Sequence, residues 1–149
     1  MSKKNLTVHF SSETAEWATP QATFDELNKE FSFTLDPCAT KKNAKCKKFF
    51  TKKDNGLEQS WEGETVFCNP PYGSELPLWV EKCYRESRKP GTTVVMLIPA
   101  RTDTRYFHQF IYHRSRLRFL KGRLKFGSAK HSAPFPSMVV IYQKRSRMD

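Results

Sequence analysis

Residues 92–98 read Thr-Thr-Val-Val-Met-Leu-Ile, a β-branched segment that is continuously apolar from Val94 onward. A strand with one wet face alternates apolar and polar residues, whereas this pattern belongs to a strand buried on both faces of a parallel sheet. Such a sheet needs helices on both sides, so the segment directs the chain towards an α/β sandwich. It also sets a limit. No apolar run in the chain exceeds the five residues of this segment's core, Val94 to Ile98, far below the roughly 20 residues of a membrane-spanning helix.

The rest of the chain supplies the alternating elements that this reading needs. Phe24, Leu27 and Phe31 are spaced for one helical face, which predicts a helix from Gln21 to Glu30 with Pro20 in its first turn and Thr19 as N-cap. Phe31-Ser32-Phe33-Thr34-Leu35 alternates strictly and predicts a short strand ending at Asp36-Pro37. Glu64 to Cys68 is a second strand, Leu76 to Arg88 a helix closed by Pro90-Gly91, and Asp103 to Tyr112 a further helix. Leu117 to Phe126 and Met138 to Tyr142 give two or three more strands. The expected fold is a single-domain, Rossmann-like α/β sandwich with a mostly parallel sheet, spanning 17–149 behind a loosely held arm at 1–16. Open sheets of this kind bind ligands beyond the carboxyl ends of their strands. Three unusual loops follow expected strand ends there: Asp36-Pro37-Cys38-Ala39, Asn69-Pro70-Pro71-Tyr72 and Pro99-Ala100-Arg101-Thr102-Asp103.

One domain is all that 149 residues allow, and its charge is lopsided. Lys and Arg number 26 against 15 Asp and Glu, a net +11. Lysine and arginine in such excess neutralise a polyanion and release its counterions, so nucleic acid is the expected partner and an acidic membrane surface the competing one. The most basic stretch, Lys41 to Lys53, holds seven lysines. Hydrophobic residues at 38% and 12 Phe suffice for a core, which excludes wholesale disorder. The four cysteines form no C-x-x-C pair and no histidine stands at zinc-finger spacing, so no metal is expected. With no secretion signal visible, the expected location is intracellular and the cysteines reduced.

Asn69-Pro70-Pro71-Tyr72, between a strand and a helix, carries the chemistry. Two prolines lack amide hydrogens and have fixed φ, so the carbonyls of Asn69 and Pro70 form a rigid acceptor array. With the Asn69 side-chain oxygen, that array can take both hydrogens of a planar exocyclic amine, and Tyr72 offers a face on which a heterocycle can stack. The plainer alternative is a strand terminator with an edge aromatic.

The chain resembles the phage DNA N-6-adenine methyltransferases, small class I enzymes that use S-adenosylmethionine. The resemblance rests on Thr19-Pro20, Leu35-Asp36-Pro37-Cys38-Ala39, Asp54-Asn55-Gly56-Leu57, Asn69-Pro70-Pro71-Tyr72-Gly73, Pro99 to Thr104 with Phe107-His108, Gly122 to Phe126, and Ala133-Pro134-Phe135-Pro136-Ser137, in that order. It implies that Asn69 and the Pro70 carbonyl hold the adenine amino group, that Pro71 stiffens the loop, and that Tyr72 stacks on the flipped base. Accepting both amine hydrogens favours a pyramidal nitrogen and stabilises the charge that develops as it attacks the sulfonium methyl in line. No prior strong base is needed.

The resemblance also places Thr19, Pro20, Asp36, Pro37, Cys38, Ala39 and Asp54 at the cofactor. Asp36 matches a strand-end acid that meets the methionine ammonium or ribose hydroxyls, although a turn or cap role is open; the glycine-rich turn usual after such an acid is replaced by Pro37-Cys38-Ala39. Asp54 is either an adenosine partner or an ordinary turn residue, and Thr19 either a contact or only an N-cap. Arg101, Lys121, Arg123 and Lys125 are the expected DNA contacts, with Asp103 at a helix start and His108 on a helix face. Alternation from Arg114 to Arg118 would set three arginines on one strand face. No span is left for a target-recognition domain, so a very short site or weak selectivity is expected. The rival functions are an RNA adenine or protein-glutamine methyltransferase, and a non-catalytic nucleic-acid-binding module.

Overall fold

The computed structural model describes residues 17–126 and 132–144. The expected arm at 1–16 and His131 lie outside them. Six strands form one sheet: β1 (Leu35–Asp36), β2 (Lys48–Phe49), β3 (Thr65–Cys68), β4 (Thr93–Pro99), β5 (Arg116–Phe119) and β6 (Ser137–Tyr142). Their order is β2-β1-β3-β4-β6-β5. The first four run parallel, and β6 lies antiparallel between β4 and β5. Among the described residues two α-helices accompany them, α1 (Gln21–Phe31) and α2 (Leu76–Ser87). The chain is thus a mixed α/β domain with a mostly parallel sheet.

β4 is buried from Val94 to Pro99, and β6 along its whole length. The helices cover opposite faces. Phe67 on β3 meets Phe24 of α1 at 5.2 Å between centroids, while the thiol of its neighbour Cys68 lies against Cys83 of α2; successive strand residues point to opposite faces. α2 follows its pattern closely, burying Leu76, Trp79, Val80 and Cys83. No disulfide joins the four cysteines.

Four expected elements change. The strand over Phe31–Leu35 shrinks to β1, because Phe31 closes α1, Ser32 turns left-handed (φ 57°), and the Asn28 side chain accepts the Phe33 amide. Asn28 thereby removes a hydrogen bond that a strand ladder would need. Pro20, not Thr19, is the N-cap of α1, and it supplies no side-chain cap bond. The helix over Asp103–Tyr112 reduces chiefly to a π-helical turn, Phe107–Ile111, closed by a Tyr112 amide donating to Phe107 O at 2.8 Å. The strand from Leu117 stops at Phe119, and Gly122 bends the chain with φ 75°. Arg114 also leaves the expected arginine face. Arg116 and Arg118 occupy β5, but Arg114 packs over Tyr84 of α2 at 5.6 Å.

Candidate active site

The carboxyl ends of β1 and β3 open into a cleft of about 390 Å³, lined among others by Thr19, Asp36, Pro37, Cys38, Ala39, Asn69 and Pro71. Two of the three strand-end loops therefore share one crevice, as the α/β topology demands. The volume lies in the range of small-molecule sites.

The first loop is laced in place by backbone bonds. The Phe50 amide donates to Asp36 O and the Ala39 amide to Phe50 O, each at 3.0 Å. Asp36, 4% exposed, accepts the Lys45 amide at 3.0 Å and the Cys38 amide at 3.4 Å. Burial raises its pKa above the ordinary aspartate value, only partly opposed by those two amides and the Lys45 charge. A cationic or donor group in the cleft would relieve that cost. Beside it, burial chiefly, with the Asp36 charge, pushes the Cys46 thiol up to about 12.

Asp54 does not line the cleft. Its carboxylate accepts the Thr51 amide at 2.9 Å and the Thr51 hydroxyl at 3.1 Å, bonds that hold its pKa below the usual range. The neighbouring residues reach the cavity instead: Asn55, left-handed at φ 56°, and Gly56. A Cβ on Gly56 would lie 2.1 Å from Pro37 O. The close packing of this loop thus involves a glycine about twenty residues downstream, docked against a glycine-poor turn.

Asn69 has a complete hydrogen-bond account. Its Nδ2 donates to Trp17 O and to Thr19 Oγ1, the latter at 2.8 Å. Its Oδ1 accepts the Tyr72 hydroxyl at 2.6 Å, and that hydroxyl also lies 3.0 Å from Leu97 O. An amide has two donor hydrogens and two acceptor lone pairs. Both donors are used and one lone pair remains, while no donor among the described residues reaches the Pro70 carbonyl. Among the described residues the loop thus retains two acceptors that no donor fills, one on Asn69 Oδ1 and one on Pro70 O.

Tyr72 is less open than its sequence context suggests. It is 7% exposed, and Phe126 and Phe135 pack on it edge-to-face at 6.0 and 5.6 Å. Trp17 packs on the same two phenylalanines at 5.4 Å each. Burial raises the Tyr72 pKa well above the phenol value, so the hydroxyl stays protonated as a donor. Trp17, Asn55 and Trp79 line the cleft and Phe126 and Phe135 pack on Tyr72, and none of the five was a candidate from the sequence. The two phenylalanines do fall in the C-terminal stretches that carry the family resemblance, which was the available signal.

The basic candidates sit at the same end of the sheet. Phe119 pairs with Met138, which pairs with Ile98, so β5 ends level with β4. Arg101 after β4 and Lys121, Arg123 and Lys125 after β5 are all exposed there. Arg101 lies 5.9 Å over the Phe135 ring, and Arg123 donates to Ala133 O at 3.5 Å. Arg118 is committed elsewhere, in a fork onto Glu30 at 2.6 and 2.7 Å. Thr104, not Asp103, serves the following turn, donating to Arg101 O and accepting the Phe107 amide. No cluster of metal-ligating side chains occurs among the described residues, and no helix there is long and apolar enough to cross a membrane.

Among known proteins, the profile of the DNA N-6-adenine-methyltransferase (Dam) family matches residues 7–147. The chain belongs to that family. A DNA N-6-adenine-methyltransferase of Haemophilus phage HP1 is 30% identical over 138 residues, covering 87% of this chain and 79% of the phage protein. A protein of the same name from Escherichia phage T1 is 31% identical over 93 residues, 61% of this chain and 38% of that protein. A putative methyltransferase, YfdM, of Escherichia coli is 36% identical over 64 residues, 38% of this chain and 70% of its own length. Family membership makes the chain an enzyme of the methyltransferase type.

Proposed function

We propose that the chain transfers a methyl group from S-adenosylmethionine to the exocyclic N6 amine of adenine in DNA, with the base flipped out of the helix and attacking in line. The observation that carries this reading is the acceptor account at Asn69 and Pro70: two vacant acceptors match the two hydrogens of one planar amine. The mostly parallel sheet between helices supports a Rossmann-like class I assignment.

The cleft suits the methyl donor. Asp36 is a buried carboxylate with a raised pKa, which an ammonium or hydroxyl donors would satisfy, and the indole N–H of Trp79, a lining residue, is buried with no partner among the described residues. Asp36 to Ala39, Asn55, Gly56 and Trp79 would hold it, and when bound it supplies an electrophilic methyl on a sulfonium. Thr19 lines the same cleft, Pro20 follows it at the start of α1, and Asp54 serves the cleft indirectly by shaping the Thr51–Gly56 turn.

The protein's own task is to hold the amine. Asn69 Oδ1 and Pro70 O take its hydrogens, and charge that develops on nitrogen is stabilised by fixed dipoles that need not reorganise. Stacking on Tyr72 requires the base to take the place now held by Phe126 or Phe135. Arg101, Lys121, Arg123 and Lys125 then meet phosphates and fix the DNA without reading sequence. Under this reading the enzyme works in the cytoplasm of a bacterial host on a short or weakly specified site, and single-stranded DNA, which avoids the extrusion cost, reacts well.

The test is transfer of labelled methyl from S-adenosylmethionine to unmethylated DNA, with RNA and bulk protein in parallel, followed by nucleoside chromatography. Label in N6-methyladenine from DNA is the expected result. Label in RNA or in glutamine of protein replaces the acceptor, and no label with any acceptor leaves a non-catalytic nucleic-acid-binding module.

A further inference from the structure

The contacts of Asn69 bear on more than acceptor capacity. An asparagine amide is nearly symmetric in shape, and either end can face a given direction; only its neighbours decide which. If Nδ2 faced the incoming amine, two donors would oppose each other and the loop would repel what it is built to hold. The choice is made by a segment about fifty residues away in sequence. The Trp17 carbonyl can only accept, so Nδ2 must turn towards it, and Thr19 Oγ1 at 2.8 Å takes the second hydrogen.

That segment is itself fixed at both ends. Trp17 packs against both Phe126 and Phe135, while the Pro20 carbonyl receives the Phe24 amide at the start of α1. Thr19 between them is 5% exposed. Its hydroxyl caps no helix, since the N-cap position falls on Pro20 without a side-chain bond. On the far side of the amide, the Tyr72 hydroxyl has Leu97 O as a second acceptor at 3.0 Å, so its proton can leave Oδ1 without being stranded.

We propose that Thr19, together with the Trp17 carbonyl, is a positioning residue for the reaction: it locks the Asn69 amide in the flip that presents Oδ1 to the substrate amine. Thr19 then acts on the acceptor half of the site and not on the methyl donor. The proposal rests on the assignment of Asn69 as the amine holder, and it is tested separately from that assignment.

Five proteins suffice: the wild type, Thr19→Val, Thr19→Ser, Asn69→Ala, and Thr19→Val combined with Asn69→Ala. Valine keeps the shape and removes the acceptor; serine restores it. Thr19→Val is expected to lower kcat on DNA about tenfold, the scale of one hydrogen bond to a charged or reacting group. The S-adenosylmethionine Kd by calorimetry and the Tm should stay near wild type, and Thr19→Ser should recover most of the rate. In the Asn69→Ala background Thr19→Val should change nothing further, because a residue acting through Asn69 has nothing left to act on.

Contrary results separate cleanly. A weakened donor Kd with kcat preserved makes Thr19 a donor contact and overturns the proposal. Equal losses in the valine and serine variants with a lowered Tm, or additive losses in the double variant, make its role structural and also overturn it. An Asn69→Ala protein with full activity breaks the underlying assignment instead, and a wild type that methylates no acceptor breaks the functional reading.

Discussion

The two halves of the sheet are built on different terms. On one side β4 and β6 pair over six residues, from Val94 with Tyr142 to Pro99 with Ser137, and side chains from both strands are buried at nearly every position. On the other side β1 and β2 pair over only two residues, and the intervening loop is held by side-chain and backbone bonds onto Asp36. The first half is stabilised by apolar burial, which is large and needs no specific partner. The second trades ladder length for polar groups that line a cleft, and the proposed methyl-transfer site lies in that thinner half. Rigidity is borrowed from the β4 and β6 side, and chemistry is placed where the ladder runs out.

Substitutions can break this contrast, and the largest effect is expected in the thick half. Ile141→Ala should destabilise the fold by about 3 kcal/mol, through lost burial and an unfilled cavity. Phe49→Ala, on the half-buried edge strand β2, should cost less than half as much, both read from denaturant midpoints; equal costs would erase the contrast. Next comes Asn69→Ala, expected to lower turnover on the order of 100-fold with little change in stability or donor affinity. Full activity in that variant would sink the amine-holding role.

Gly56→Ala ranks third. A Cβ 2.1 Å from a backbone oxygen cannot be absorbed by a rotamer change, so the turn must move away from Pro37. We expect a loss of about 2 kcal/mol in stability, on the scale of overpacking, together with weaker donor binding. An unchanged donor Kd would show that the turn does not shape the cleft.

Asp36→Asn should weaken S-adenosylmethionine binding about tenfold, the worth of about one charge-assisted hydrogen bond. The pH dependence has a definite sign. Burial raises the folded-state pKa of Asp36, so its ionised form is disfavoured in the empty protein and the fold gains stability from this group as pH falls. A bound cation favours the ionised form. Donor affinity should therefore be full above the raised pKa and decline as pH falls through it, beginning at higher pH than an ordinary aspartate would give. Titration calorimetry across that window should find the Asp36→Asn variant flat, and a variant that keeps the wild-type slope would place the titrating group elsewhere. The smallest effect is expected from Arg118→Ala. Its exposed fork onto Glu30 is worth about 0.5 kcal/mol, and a change in Tm of several degrees would mean that β5 depends on this pair.

How far sequence reaches into such a fold follows the same division. β4 was legible because a strand buried on both faces must be apolar throughout, and α2 because Leu76, Trp79, Val80 and Cys83 repeat at helical spacing. The strand expected over Phe31–Leu35 failed where Asn28 reached five residues ahead to take the Phe33 amide, leaving Phe31 and Phe33 to stack at 5.7 Å outside any ladder. Alternation records which residues are apolar but not where their amides go. In the site, Asn69 and Asp36 stood out because rigid or acidic residues at strand ends are few. Trp17 and the pairing of Gly56 with Pro37 did not, because each is a contact between segments far apart in sequence, with no local period to betray it.

The placement of the tryptophans carries one further consequence. All three are drawn towards the cleft: Trp17 and Trp79 line it, and Trp61 stacks on Trp79 at 6.4 Å. The intrinsic ultraviolet emission of the protein therefore originates almost wholly from the cavity and its floor, with no indole on the β5 edge to dilute it. On the proposed reading, a methyl donor held beside Trp79 and a displacement of the Trp17 ring would each change that emission, so excitation at the indole band offers a label-free optical signal for following the two steps separately in time.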